Sequence, residues 1–175
     1  MKIKSAIVLG VSMLACGFAW AAAPALTTSK SVTIDAPAAT VWNLTKDFNG
    51  LNTWHPALAS DEIVEGKNNV VGAVRVLTLK GGGTIKEKLL AYNAKSRSFK
   101  YAIVEGVIPV SHYTSTFVVK SSGKGKSTVV WTGHFKRKNV GDNPGDNEND
   151  KAAVDAINGV YQGGLDNLKK MAEAK

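Results

Sequence analysis

Two oppositely charged residues hold the most chemistry in this sequence: Arg75 in VRVLTL and Glu87 in TIKEKLLAYN. In the second segment Ile85, Glu87, Leu89 and Ala91 alternate with Thr84, Lys86 and Lys88, so a strand here turns Glu87 toward the apolar side. A carboxylate facing a core is costly unless it is paired, and Arg75 is the natural partner. A turn at Gly81, Gly82 and Gly83 that sets Leu79 near Ile85 makes the two residues diagonal neighbours on one face. Such a pair either closes on itself as a structural ion pair or stands at a pocket wall and orients a polar group of a ligand. Either Glu87, freed from Arg75, or a histidine is a candidate proton-transfer group, with Arg75 polarising a carbonyl.

The same alternation turns Phe99, Tyr101 and Ile103 inward, then Tyr113, Ser115, Phe117 and Val119, then Val129, Trp131 and Phe135. Phe99, Tyr101, Tyr113, Phe117 and Trp131 form a candidate ligand-burying wall, with Arg75, Glu87, Tyr113 and Ser115 orienting the ligand and Tyr161 above it. His55, in Trp-His-Pro, is either a pocket-rim residue or a packed structural one; His112 and His134 fall on the outward phase of their strands. No two histidines have metal-ligand spacing. The acidic, asparagine-rich stretch 142–150 departs from the alternating calcium-loop pattern and reads as a solvated loop that caps the last helix. Nucleophile-elbow, phosphate-loop and HExxH patterns are absent from the sequence, so neither a metal nor a cofactor is expected.

These side chains must be positioned by short strands and one long helix. Strands are predicted over 30–35, 59–65, 72–80, 84–93, 98–105, 111–120 and 127–138, and two small helices follow the first strand. From 150 to 175, Ala153, Ile157, Tyr161, Leu165, Leu168 and Ala172 share one face of a helix. That face needs a partner, and a curved antiparallel sheet supplies it. The expectation is an α+β fold in the order βααββββββα, a seven-stranded sheet around a long C-terminal helix. Gly159, Gly163 and Gly164 each cost about 1 kcal/mol against alanine in a helix interior; they either leave room for a ligand or let Trp131 and its neighbours approach the helix backbone.

Residues 1–21 read as a signal peptide: Lys2 and Lys4, an apolar run over 6–15, and small residues at Ala19 and Ala21. Residues 22–29 are a flexible lead-in, and 30–175 one domain. Met13, Leu14 and Ala15 put leucine one place too late for lipidation at Cys16, so release into the periplasm is expected rather than anchoring. The mature chain then has no cysteine and no transmembrane span, and loss of Lys2 and Lys4 lowers its formal charge from +8 to +6. That excess suits an acidic periplasmic protein partner or an anionic surface. Nucleic acid is not an expected partner outside the cytoplasm.

The segments VTIDAPAATVWNLTKDFNGLNTWHP, GAVRVLTLKGGGTIKEKLLAYN, EGVIPVSHY and VYQGGLDNLKKMAEAK, in this order, resemble the START-like (SRPBCC) superfamily, which includes polyketide cyclase/dehydrase and lipid-transport proteins, the birch pollen allergen family and the abscisic acid receptors. The likeness spans nearly all of the mature chain and is strongest to an exported bacterial branch with the MxaD-type proteins of methanol-oxidation clusters. It implies a helix-grip fold with an internal pocket, and it leaves the activity open, because this scaffold hosts carriers, receptors and enzymes. By the same resemblance Arg75 and Glu87 match ligand-orienting charges, and the turns at 81–83 and 106–110 flank the pocket mouth, as gate and latch or as plain turns.

Three functions follow: a periplasmic binding or carrier protein for a small apolar or amphipathic ligand, a cyclase- or dehydratase-like enzyme, and an accessory protein of an exported redox system. The first is favoured, since the wall is aromatic and the polar groups on it are few.

Overall fold

The computed structural model of the protein describes residues 23–174, so the signal-peptide reading and Cys16 lie outside the described residues. Seven strands form one antiparallel sheet: β1 (Leu26–Ile34), β2 (Leu58–Glu65), β3 (Val74–Leu79), β4 (Thr84–Asn93), β5 (Ser98–Gly106), β6 (Val110–Ser121) and β7 (Ser127–Arg137). The spatial order is β1-β7-β6-β5-β4-β3-β2, a meander from β2 to β7 with β1 added at the far edge. Between β1 and β2 lie the short helix α1 (Ala38–Thr45) and a 3-10 turn over Phe48–Thr53; the long helix α2 (Asp150–Glu173) ends the described fold. This is the α+β helix-grip architecture expected from the sequence.

Two differences from expectation exceed a residue or two at a strand's end. β1 starts at Leu26, inside the stretch read as a flexible lead-in, because Leu26 to Ser29 find a continuous partner strand from Phe135 to Thr132. The β3–β4 hairpin is also set differently: Leu77, not Leu79, faces Ile85, and Arg75 stands directly opposite Glu87 rather than diagonally. The turn is longer than the glycine triplet alone, with Leu79 N–H bonded to Gly83 O and positive φ at Gly82 and Gly83.

Helix α2 buries Ala153, Ile157, Tyr161, Gly164, Leu165, Leu168 and Ala172 against the concave face of the sheet. Asn149 caps it, its side-chain oxygen accepting from Ala152 N–H at 2.9 Å, an interaction worth about 1 kcal/mol. Arg137, at the end of β7, holds the helix start through Asp150 at 2.8 Å and ties down the preceding loop through the carbonyls of Asn139 and Gly141. No helix among the described residues is long and apolar enough to cross a membrane.

Candidate functional site

Inward-facing residues of the sheet do not all reach free space. Between sheet and helix lies a cavity of about 40 Å³. Leu77, Leu79 and Ile85 of β3 and β4 form one wall, Glu87, Tyr101, Tyr113 and Trp131 another, and Ile157 and Val160 of α2 the roof. Leu51, His55, Ala57 and Leu58 close one end, and Ile103 and Ile108 the other. A void of this size takes about two or three waters, or the equivalent of a few heavy atoms.

Four of the nine candidate ligand residues therefore line the cavity: Glu87, Tyr101, Tyr113 and Trp131. Arg75, Phe99, Ser115, Phe117 and Tyr161 stand behind that wall. Phe99 and Phe117 stack on each other at 5.2 Å between centroids, and Phe117 meets Trp131 edge-on at 5.5 Å, so they fill core volume instead of bordering the void. Tyr161 lies flat on Trp131 at 4.4 Å and 14°. Of the two purposes considered for the helix glycines, Gly164 serves close packing: a Cβ there would come within 2.6 Å of His55 Cδ2 and 3.1 Å of Trp131 Cζ3. Gly159 and Gly163 face open space.

Arg75 is 2 % exposed and almost saturated. Its Nε and Nη2 both donate to Glu87 Oε2, at 2.8 and 2.6 Å, while Nη1 donates to the Phe48 carbonyl and to Asp61 Oδ2, the latter at 3.2 Å. Its guanidinium carbon sits 4.1 Å from the centre of the Phe48 ring. The structure thus draws the expected pair together as a buried cluster of one guanidinium and two carboxylates. Burial pushes the Glu87 carboxyl upward, Arg75 pulls it back, and Asp61 adds to the rise. Burial likewise raises Asp61 against the pull of Arg75 and the Leu51 N–H that donates to Oδ2 at 2.9 Å. The other Asp61 oxygen, Oδ1, is buried without a partner among the described residues.

Asp61 was not found from sequence. Leu58 and Asp61 both point inward three residues apart, a spacing that simple alternation forbids and that the register shift between Leu58 and Ser60 produces. His55 was singled out, but as a rim or packed residue; it is a buried wall residue, 4 % exposed. Its Nε2 lies 2.9 Å from Val160 O, which only accepts, so Nε2 carries the proton and Nδ1 accepts from Ala57 N–H at 3.3 Å. Burial lowers its pKa, the Val160 carbonyl opposes this, and Arg75 lowers it further, which keeps the ring neutral. His112 and His134 are exposed, as their strand phase predicts.

Behind Tyr113 runs a directed chain of hydroxyls. Ser115 Oγ donates to the Thr132 carbonyl at 3.0 Å, so it accepts from Tyr161 Oη at 2.8 Å, and Tyr161 in turn accepts from Tyr113 Oη. Burial first, then neighbouring phenols, raises the pKa of Tyr113, and burial first, then Glu87, that of Tyr101, so both stay neutral. Gly133 makes room for the chain: a Cβ there would fall 2.6 Å from Tyr161 Oη.

The two turns singled out as pocket-mouth loops rest on one another. Val107 N–H donates to Thr84 O at 3.2 Å, and a Cβ on Gly83 would lie 2.7 Å from Val107 Cγ1. Outside them is an open groove of about 280 Å³ bordered by Val104, Glu105, His112 and Lys138. Ile103 and Ile108 border both the groove and the inner cavity, so these two side chains are the partition between them.

Comparison with known proteins agrees with this geometry. The family model described as polyketide cyclase / dehydrase and lipid transport matches residues 25–173. Among solved structures, the protein XoxI from Bacillus cereus is 33% identical, with a TM-score of 0.73 over 83% of this chain and 94% of that one. A putative uncharacterized protein from Bacillus thuringiensis is also 33% identical, with a TM-score of 0.73 over 83% and 98% of the two chains. A protein from Thermobifida fusca is 25% identical, with a TM-score of 0.70 over 83% and 92%. With the match running from the start of β1 to the end of α2, this chain belongs to the polyketide cyclase/dehydrase and lipid-transport family of START-like proteins.

Proposed function

We propose that the protein is an exported, periplasmic binding or carrier protein for a small apolar or amphipathic ligand. The observation that carries this reading is the cavity beneath α2, apolar on nearly every side and bordered by the single carboxylate Glu87. Apolar walls supply burial, and a few convergent polar groups supply orientation. At about 40 Å³ the cavity takes the head of a ligand; movement of Ile103 and Ile108 would join it to the outer groove and admit the remainder. The signal-peptide reading of residues 1–21 supports export.

Binding is favoured over cyclase or dehydratase chemistry because both candidate proton carriers are engaged. Glu87 Oε2 takes two N–H groups of Arg75, and both ring nitrogens of His55 have backbone partners. A general base needs a carboxylate released from such a partner. Native mass spectrometry of protein purified from its own periplasm is the test. A copurifying small molecule, lost when Ile157→Trp fills the cavity, is the expected result; the absence of any extractable ligand from freshly isolated protein would refute the reading.

A further inference from the structure

Charge is placed unevenly along the chain, and the meander turns this into a difference between the two ends of the sheet. From Lys88 to Gly141 the one carboxylate is Glu105, although this stretch holds the second half of β4 and all of β5, β6 and β7. The β2–β3, β4–β5 and β6–β7 turns share one end of the sheet with the finish of β1 and the last turn of α2, since Ile34 pairs with Ser127 and Asp35 N–H donates to Glu173 Oε1 at 2.8 Å. The pocket-mouth turns at 81–83 and 106–110 lie at the other end with the start of α2, where Arg137 meets Asp150.

The first end is basic. Lys95 and Arg97 occupy the β4–β5 turn, and Lys120, Lys124 and Lys126 the end of β6 and the turn after it. These two turns lie side by side: Val119 N–H donates to Arg97 O at 2.9 Å, and Arg97 Nε to Val119 O at 3.4 Å. Lys100 is exposed on β5 just behind them. Lys126 is paired with Asp35 and Lys169 with Glu173, each at 2.8 Å, whereas Lys95, Arg97, Lys100, Lys120 and Lys124 form no ion pair among the described residues. Asp47 and Glu65 flank the β2–β3 turn, Glu65 bonded to Lys86 at 3.1 Å, so the positive excess sits on the β4–β5 and β6–β7 side. The opposite end is acidic, with Asp142, Asp146, Glu148, Asp150 and Asp155 against Lys151.

Protein partners are gripped by aromatic and arginine anchors seated in pockets. Here the cations are mostly lysines on open turns, and the exposed large apolar residues of the described chain are all valine or leucine. Such a diffuse set suits a diffuse negative charge, each cation near an anionic bilayer adding a comparable increment of attraction. The β2–β3 turn at the same end exposes Val70 and Val71, each by more than half, which a bilayer interface also accepts.

We propose that the end of the sheet formed by the β4–β5 and β6–β7 turns docks on an anionic lipid bilayer, with the acidic end and the pocket mouth turned away from it. The protein is then held at a membrane surface while its cavity exchanges ligand with the aqueous side.

The test is partitioning of the mature protein onto vesicles of phosphatidylglycerol and phosphatidylethanolamine in equal parts, with phosphatidylcholine vesicles as the neutral comparison. Binding is expected to the anionic vesicles alone and to fall as salt rises. Lys95→Gln with Lys124→Gln is expected to weaken partitioning about 25-fold, about fivefold for each charge. Lys80→Gln with Lys151→Gln removes the same charge from the opposite end, several Debye lengths away, and is expected to change it by less than about twofold. On bound protein, a fluorophore at Ser122→Cys is expected to be shielded from a water-soluble quencher and one at Val107→Cys to stay accessible. Equal loss in the two double variants, equal binding to phosphatidylcholine, or shielding at position 107 instead of 122 would overturn the assignment. Retention on immobilised poly-glutamate without vesicle binding would overturn it too, in favour of an acidic protein surface.

Discussion

Gly164 offers a test in which the opposing terms can be separated within one helix. Replacing it with alanine adds a methyl that would lie 2.6 Å from His55 Cδ2, 3.0 Å from His55 Nε2 and 3.1 Å from Trp131 Cζ3. None of these atoms is the free end of a flexible chain. The His55 ring is held at both nitrogens, and Trp131 is held by Tyr161 on its face and Tyr101 at its Nε1. Overpacking of this kind costs about 1–3 kcal/mol. Helix propensity acts the other way, by about 1 kcal/mol. Gly159 lies in the same helix with nothing within 4 Å of its would-be Cβ, so Gly159→Ala reports the propensity gain alone. The difference between the two variants isolates the close-contact term, expected at about 1–3 kcal/mol, with Gly159→Ala above wild type and Gly164→Ala at or below it. Urea unfolding at constant m-value measures both. If Gly164→Ala stabilises the protein as much as Gly159→Ala does, close approach of His55 and Trp131 is not why position 164 is glycine.

The buried charges and hydroxyls give three further expectations. Asp61→Asn should gain stability relative to wild type as pH rises from about 4 to 7: the folded-state pKa of Asp61 is raised, so its contribution is full below the ordinary carboxyl value and is lost as pH rises, whereas asparagine does not titrate. A constant difference across paired unfolding curves at the two pH values would contradict this. Arg75→Met should cost about 3–5 kcal/mol at pH 7 because it strands two buried carboxylates, and less at pH 4, where they protonate; equal losses at both would argue against a buried charge cluster. Tyr161→Phe breaks the hydroxyl chain in the middle, leaving Tyr113 without an acceptor and Ser115 without a donor, and should cost about 1–3 kcal/mol in urea unfolding; a neutral change would mean that the chain adds no stability.

The strand and helix pattern was legible because most elements are regular over their length, and alternation across β4 correctly turned Glu87 inward. What could not be read depends on interruptions and on distant contacts. A bulge in β2 hides Asp61, which keeps phase with Ile63 but not with Leu58. The length of the β3–β4 turn sets the Arg75–Glu87 register, and three glycines are compatible with more than one turn. Facing inward is also weaker than facing a cavity: Phe99, Phe117 and Tyr161 have the right phase but are covered by other rings. The role of His55 rests on helix α2, about a hundred residues away, coming close enough at Gly164 for an imidazole to lodge beneath it.

The place of β1 in the sheet bears on how the molecule assembles. Among the described residues its only strand neighbour is β7, with Leu26 beside Phe135 and Ile34 beside Ser127, although β1 is the first described strand and β7 the last. A chain that emerges from its N-terminus therefore delivers β1 long before its partner. Until β7 arrives, β1 is an unpaired edge open to other strands, and the serine, threonine and lysine residues of LTTSKSVTI keep that waiting segment soluble. Pairing of β1 with β7 is then a late event spanning nearly the whole domain, which slows folding.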